Sequence, residues 1–549
     1  MNLTHILDPF KKSLQDFSIF FKILIITAII LGVLLRFNNL DGKMYSLDET
    51  FSTTNIFGRY VEDIIDVKIV APDQLQRYQH FNKEESLNQS IKRLVEKPYV
   101  FPPLYSIGMQ IWSRFFSNFF QEASIINKSF SAFISLFSLG GMYWLCWELF
   151  QSSRIAWIGT ALLSVSPLYL QYAQIVRTYS LTTAAILISS AALLRAIRRK
   201  NHKDWVIYAI TIAFGLYSHL IFGFTLIADG IYIILREKFR FSKTTILYLT
   251  YSSIGFALFS PWFILFLSKS GLFEYSVAQP VGASQSLGLL VKGWINGITR
   301  IFVDFNDHWI LWTRIFRYPN RIFRVTILLI LGFCLFYLFK KGKTSINLFI
   351  FSLIIGGGGL LMLRDLLTGN AFSGRLRYML TYVVGIQLIV VYGLYLLFES
   401  RSVWKKKLSN TILSFLIVGG ILSCYVISTA QSWWAFGAPD YPYIANEINQ
   451  LSRPVVIYED WGDALTMSYM LNENVYSHLT RQGYVFLINN QGKIYKDYSD
   501  IVLFKPSKKM SNQLKQNRNW ELDPFMEDNK TSLKIGNVWT VTKLDISDQ

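Results

Sequence analysis

The chain has 549 residues, of which 52% are hydrophobic and only 16% charged, with a formal net charge of +18. A soluble protein of this length would have about a quarter of its residues charged, so the composition excludes an ordinary soluble enzyme and indicates a multi-pass membrane protein. The positive charge then has to be read loop by loop, and no nucleic-acid partner follows from it.

The N-terminal segment carries Lys11, Lys12 and Lys22 and has no cleavable signal: the apolar run 19–37 is too long for a signal core and lacks a small-residue cleavage site. Further runs of about 20 apolar residues fall near 126–149, 154–172, 178–197, 243–262, 322–340, 346–363, 376–398 and 409–430. Asp204 to Leu235 is long enough for two short spans turning near His219, which brings nine crossings to eleven. Lys and Arg crowd four short loops, Arg195–Lys203, Arg236–Lys243, Lys340–Lys343 and Arg401–Lys407, which the positive-inside rule makes cytoplasmic. With the N-terminus also inside, residues 38–125, Gln171–Tyr179, 263–321, Arg364–Tyr378 and everything after 430 emerge on the outer side. The apolar stretch Pro102–Phe120 then lies along the membrane surface as an amphipathic segment. Cys146, Cys334 and Cys424 sit inside apolar runs, so neither a disulfide framework nor a metal cluster follows from them.

Beyond 430 the chain turns polar. It has β-like runs at Val455–Tyr458, Tyr484–Ile488 and Ile501–Phe504, and helical patterns at Ile444–Leu451 and Ser511–Arg518. The expected fold is mainly α: a polytopic membrane domain over 1–430 with about 11 transmembrane helices, a long first outer loop (38–125) with surface helices, and a small extracytoplasmic α/β domain over 431–549. Glu459, Asp460 and Asp463 read as a solvated acidic loop in that domain. Gly356–Gly359 lies within an apolar span, where glycine serves close helix packing.

The first outer loop opens with Met44-Tyr45-Ser46-Leu47-Asp48-Glu49-Thr50-Phe51. Ser46 and Glu49 form a capping box, and Asp48 suits the positive end of the helix dipole. A general base at the membrane surface is the second reading, and the two are compatible. Neighbouring helical residues point about 100° apart, so Asp48 can face a substrate while Glu49 holds the helix. The outer side also collects cations: Arg177 beside Tyr179, then Arg375, Arg377 and Tyr378. The loop 263–321 carries Lys269, Lys292, Arg300, Arg314, Arg317 and Arg321 against Glu274, Asp304 and Asp307. Arginine at a membrane mouth is costly unless an anion meets it, and a bidentate fit to phosphate is the strongest candidate. Snorkelling to lipid headgroups is the plain alternative, above all for Arg314, Arg317 and Arg321. His219 reads more readily as a hydrogen-bonded structural histidine than as a proton carrier. Asp229, inside a span, reads equally as a functional acid or a packing contact.

The acidic motif after the first span, Phe101-Pro102-Pro103-Leu104-Tyr105, Ser166-Pro167 leading to Gln174, Arg177-Thr178-Tyr179-Ser180, Tyr217-Ser218-His219 and Arg375-Leu376-Arg377-Tyr378 together resemble the GT-C superfamily. Within it the chain resembles the protein O-mannosyltransferase and lipid A aminoarabinose transferase branch, glycosyltransferase family 39 and its bacterial relatives, over roughly residues 20–400. The resemblance implies an inverting transfer of a sugar from a polyprenyl-phosphate carrier to an acceptor outside the membrane, with no cofactor and no required metal. It implies Asp48 as the base, and Glu49 is grouped with it as catalytic. The residues themselves suggest Arg177, Arg375 and Arg377 as donor-phosphate ligands, and Tyr179, His219, Lys292, Arg300 and Tyr378 are the further candidates for substrate binding. Many relatives have a histidine where this chain has Phe101. The implied partners are the lipid-linked sugar, membrane lipids and an acceptor that is a glycolipid, polysaccharide or protein, at the plasma (inner) membrane. A transporter or lipid-handling protein is the competing class, but inverted repeats and midplane charges, its expected marks, are little in evidence.

Overall fold

The computed structural model describes residues 18–66, 69–96, 102–268, 286–305, 313–436, 438, 440–481, 495–516, 520–525 and 538–543. Phe101, Lys269, Glu274, Asp307, the run Tyr484–Ile488 and the side chains of Arg314 and Arg317 lie outside this set.

In chain order the α-helices of seven or more residues are α1 (Ile19–Arg36), α2 (Leu47–Phe57), α3 (Leu87–Glu96), α4 (Leu104–Phe116), α5 (Ala123–Phe150), α6 (Ser153–Ser164), α7 (Pro167–Ala173), α8 (Tyr179–Arg199), α9 (His202–Ser218), α10 (Gly223–Arg236), α11 (Lys243–Ser268), α12 (Leu287–Arg300) and α13 (Thr313–Lys341). They continue with α14 (Thr344–Thr368), α15 (Leu380–Phe398), α16 (Val403–Thr429), α17 (Tyr441–Ile448), α18 (Trp461–Met467) and α19 (Lys508–Gln516). Among the described residues eight are long and apolar enough to cross a membrane: α1, α5, α8, α11, α13 (from Arg321), α14, α15 and α16. The other three expected crossings are shorter pieces. Residues 154–172 break into α6 and α7 at Val165-Ser166, because the residue before Pro167 is pushed out of the helical region. Residues 204–235 break at His219, whose backbone is extended (φ −167°, ψ 141°), leaving α9 and α10 at 17 and 14 residues.

The bundle is ordered by burial. In α8 and α15, 89% of the apolar window is buried, against 28% in α1 and 17% in α13, so α8 and α15 form the centre and the latter two the rim. Outward-facing Ile19, Phe20, Ile23 and Leu34 of α1 remain exposed, a face that would be unfavourable in water and suits lipid. Gly356 and Gly357 of α14 lie where a Cβ would come within 2.6 Å of Ala228 Cα and of Tyr382 N, so these glycines permit close packing on α10 and α15. Asp229 accepts the Tyr208 hydroxyl (2.8 Å), a contact between α9 and α10. The helix α4 buries Tyr105, Met109 and Ser113 and exposes Ile111 and Phe115, the two-sided pattern expected of a surface segment.

The C-terminal region forms a six-stranded sheet in the order β1 (Ile69–Val70), β3 (Tyr476–Leu479), β2 (Pro454–Tyr458), β4 (Asp500–Phe504), β6 (Val538–Lys543) and β5 (Trp520–Pro524). β2 runs parallel to β3 and β4 and is buried along its whole length, as a central parallel strand requires. The edge strand β1 comes from the loop after α1 and pairs antiparallel with β3, Ile69 opposite His478. Sheet and loop are thereby stitched together. The acidic cluster is not a solvated loop. Asp460 caps α18 through the Gly462 N–H (2.7 Å), Glu459 accepts from the Ser507 N–H, and Asp463 is buried under the Tyr441 hydroxyl. Once α18 follows β2 directly, Asp460 has a helix start to serve, while Glu459 and Asp463 are taken up by Ser507 and Tyr441.

Candidate active site

After α1 the chain reverses over two buried lysines. Lys43 Nζ donates to the carbonyls of Ile427 and Ala430 at the end of α16. Lys128 of α5 donates to the carbonyls of Leu40, Lys43 and Met44 and lies 4.6 Å from the Tyr45 ring centroid. The Met44 N–H is bonded to the Gln431 carbonyl (3.0 Å). Each lysine is satisfied by backbone oxygens, which is what makes its burial tolerable. The following helix, α2, is thus launched from a fixed point.

The capping box is present: the Ser46 hydroxyl accepts from the Glu49 N–H (3.2 Å) and Glu49 Oε2 accepts from the Ser46 N–H (2.8 Å). Glu49 Oε1 also accepts from the Val176 N–H (2.7 Å), so this buried carboxylate ties α2 to the segment that starts α8. Burial pushes its pKa up, partly offset by Lys128 and these hydrogen bonds. Glu49 therefore lies behind the site as support. Asp48, one position earlier, points the other way with its side chain 45% exposed.

Asp48 opens into a cavity of about 450 Å³ whose described lining includes four arginines, Arg177, Arg300, Arg375 and Arg377, and, among the described residues, no carboxylate besides its own. Arg377 is ion-paired with Asp48 and stacks 5.2 Å from the Tyr378 ring. Arg177 Nη1 donates to the Asp48 carbonyl (3.0 Å) and the Ser52 hydroxyl (2.5 Å), which makes it a strut of α2 as well as a wall of the cavity. Burial would raise the Asp48 pKa, but Arg177, Arg377 and Arg375 outweigh it and hold the carboxyl below its ordinary range. The arginine loop is itself held by buried Asp365, which accepts from the Ser373 N–H (2.6 Å) and hydroxyl (2.7 Å), while Trp294 of α12 donates to the same hydroxyl (2.8 Å).

Of the residues expected at the site, Asp48, Arg177, Tyr179, Arg300, Arg375 and Arg377 meet in this one cavity. Tyr378 underlies Arg377 without lining it, and Lys292 is exposed one residue before the lining Gly293. His219 Nδ1 accepts from the Ile221 N–H (3.0 Å), a structural role in the α9–α10 turn. Burial, with Arg177 and Arg377 nearby, pushes its imidazole down to about 3. Sequence reasoning missed Tyr172, Gly293, Gly297, Trp434 and Phe436 on the cavity wall. The glycine spacing of four and the paired tryptophans just past the last span were the available signals.

Residues 98–265 match the family model for dolichyl-phosphate-mannose-protein mannosyltransferase. Among solved structures, ArnT from Cupriavidus metallidurans in the apo state aligns with a TM-score of 0.50 at 8% identity, covering 95% of this chain and 97% of that one. The chain has the fold of that structure. The same ArnT bound to undecaprenyl phosphate aligns with this chain at a TM-score of 0.47 and 10% identity, with 95% and 97% covered. Archaeal oligosaccharyltransferase AglB from Archaeoglobus fulgidus, in complex with an inhibitory peptide and a dolichol-phosphate, gives 0.47 at 11% identity, covering 89% of this chain and 70% of that one. No curated protein matches the chain in sequence. With eight apolar helices among its described residues, the chain is an integral membrane protein.

Proposed function

We propose that the protein is an inverting glycosyltransferase that moves a sugar from a polyprenyl-phosphate-linked donor to an acceptor on the outer side of the membrane. The observation that carries this reading is the half-exposed carboxylate of Asp48 facing, among the described residues, four arginines in one cavity. Arginines at this density suit an anion with several oxygens, and a phosphodiester held by bidentate contacts meets that need. The matched family model is named for a dolichyl-phosphate-mannose donor, a lipid phosphate of this kind.

In the reaction Asp48 takes the proton of the acceptor hydroxyl, whose oxygen attacks the anomeric carbon on the face opposite the phosphate. The carbon–oxygen bond to phosphate breaks, and polyprenyl phosphate leaves with the electron pair and one more negative charge. Arg375 and Arg377 are placed to stabilise that charge, with Arg177 behind them. Arg377 already holds Asp48, so an incoming phosphate competes for it, and the carboxylate is released as the donor binds. Among the described residues no group of three His, Cys, Asp or Glu side chains is arranged to hold a metal, and none of these steps calls for one.

Purified protein mixed with undecaprenyl-phosphate sugars tests this reading. Release of undecaprenyl phosphate is expected, and Asp48→Asn should cut turnover by about 10²–10⁴ while donor lipid still binds. An Asp48→Asn variant with unchanged turnover would remove Asp48 from the role of base.

A further inference from the structure

The cavity wall contributed by the C-terminal region raises a question that the acidic motif and its arginines do not answer. Trp434 stands just past the end of α16, in the segment leading into the sheet, yet it lines the cavity with Arg300 of α12. The Arg300 guanidinium lies 4.5 Å from the Trp434 ring centroid. Buried Asp304 accepts both consecutive indoles on one oxygen, Trp433 Nε1 at 2.8 Å and Trp434 Nε1 at 2.7 Å, while its other oxygen is 3.9 Å from Arg300 Nε. Asp304 is itself anchored, its N–H donating to Ser423 Oγ of α16 (3.1 Å). With its amide oxygen turned toward them, Gln171 of α7 adds acceptor contacts of 3.2 and 3.0 Å to the same indoles.

We propose that Trp434 and Asp304 are positioning residues that aim the Arg300 guanidinium into the cavity as a further contact for the donor phosphate, so that the segment entering the C-terminal sheet is part of the donor site. This rests on the reading of the cavity as a lipid-phosphate site. A guanidinium stacked on an indole engages its flat face and keeps its N–H groups in plane, the orientation in which they grip phosphate oxygens. A ring with a tethered N–H cannot turn away, and one buried carboxylate fixes two such rings. The approach comes from the backbone of α12: Gly293, Gly297 and Arg300 recur at four and three residues, one stripe of the helix. The loop of Arg375 and Arg377 rests on that stripe, since a Cβ at Gly293 would lie 3.5 Å from Gly374 Cα and one at Gly297 would come within 2.8 Å of Leu376. The bare stripe brings Arg300 beside the other arginines.

The test is binding of undecaprenyl phosphate, with undecaprenol as control, to the full-length protein in detergent. Arg300→Ala should weaken phosphate binding by about tenfold or more, in line with loss of a charge-assisted contact, and leave undecaprenol binding unchanged. Trp434→Leu keeps apolar bulk without the aromatic face and should lose about as much, whereas Trp434→Phe, which keeps the face but not the tethered N–H, should lose only part of it. The Arg300→Ala/Trp434→Leu double variant should be no weaker than Arg300→Ala alone, since both changes remove one contact. A Trp434→Leu protein that binds like wild type, a Phe variant as weak as Leu, or additive losses in the double variant would each overturn the assignment. If wild type does not prefer undecaprenyl phosphate to undecaprenol, the donor-phosphate reading fails and this inference with it.

Discussion

Asp48 and Glu49 are adjacent in sequence and opposite in circumstance. Glu49 serves two amides with two different oxygens, the Ser46 N–H and the Val176 N–H. Glutamine has one amide oxygen and can satisfy only one of them, leaving an N–H facing its NH₂ group. Glu49→Gln is therefore expected to cost about 1–3 kcal/mol of stability, read as a lowered unfolding midpoint, and activity should fall with it. A fully stable Glu49→Gln protein would mean that the link to Val176 carries no weight. For Asp48 the sign of the pH effect follows from its neighbours. The arginines favour the carboxylate, so the base is ionised above a lowered pKa and activity is lost as pH falls through it. Removing Arg377 takes away one of those charges while burial remains. Arg377→Ala should move the acid limb of kcat/KM to higher pH and weaken donor binding by about tenfold or more, and Lys at this position should recover only part. An acid limb that stays in place would show that Arg377 does not act on Asp48.

Among the elements, α2 is held from three directions. The lysine-clamped loop sets its start, Val176 pins its first turn, and α18 covers its far side. That cover is close: Phe51 meets Trp461 edge-on at 4.6 Å, Thr50 and Thr466 hydroxyls are 3.1 Å apart, and Tyr45 lies 4.7 Å from Tyr469. A Cβ on Gly462 would already come within 3.3 Å of Leu47 and Phe51. Gly462→Leu should therefore push α18 off α2, lower stability by about 1–3 kcal/mol through overpacking, and reduce turnover as Asp48 loses its placement. Thermal unfolding and turnover measured together would check this, and no change in either would uncouple α18 from the catalytic helix.

At the scale of the whole molecule, the loop after α1 and the C-terminal region share a sheet through β1 and β3, and both reach the cavity. Such an arrangement requires residues 38–125 and the region after α16 to lie on one side of the membrane. A reporter fused to the C-terminus is expected to be extracytoplasmic and one inserted near Lys341 cytoplasmic, as the positive-inside loops imply. Reporters on the same side would contradict that orientation.

Much of this was legible in the chain because it depends on local pattern. Apolar runs marked the spans, Ser46 with Glu49 marked the start of α2, and the order of short motifs along the chain pointed to the GT-C fold. The turn near His219 was legible from the length of its apolar run, whereas the break at Ser166-Pro167 fell inside a run read as one span, since hydropathy does not record backbone angles. Lys43 and Lys128 gave no sign of being buried, because their partners are carbonyls of residues that only the folded chain brings near. The same holds for Trp434, Asp304 and Gly297. Side-chain chemistry and periodicity belong to the chain itself, whereas which arginine meets which carboxylate, and which end of the protein closes the site, is settled by contacts between residues hundreds of positions apart.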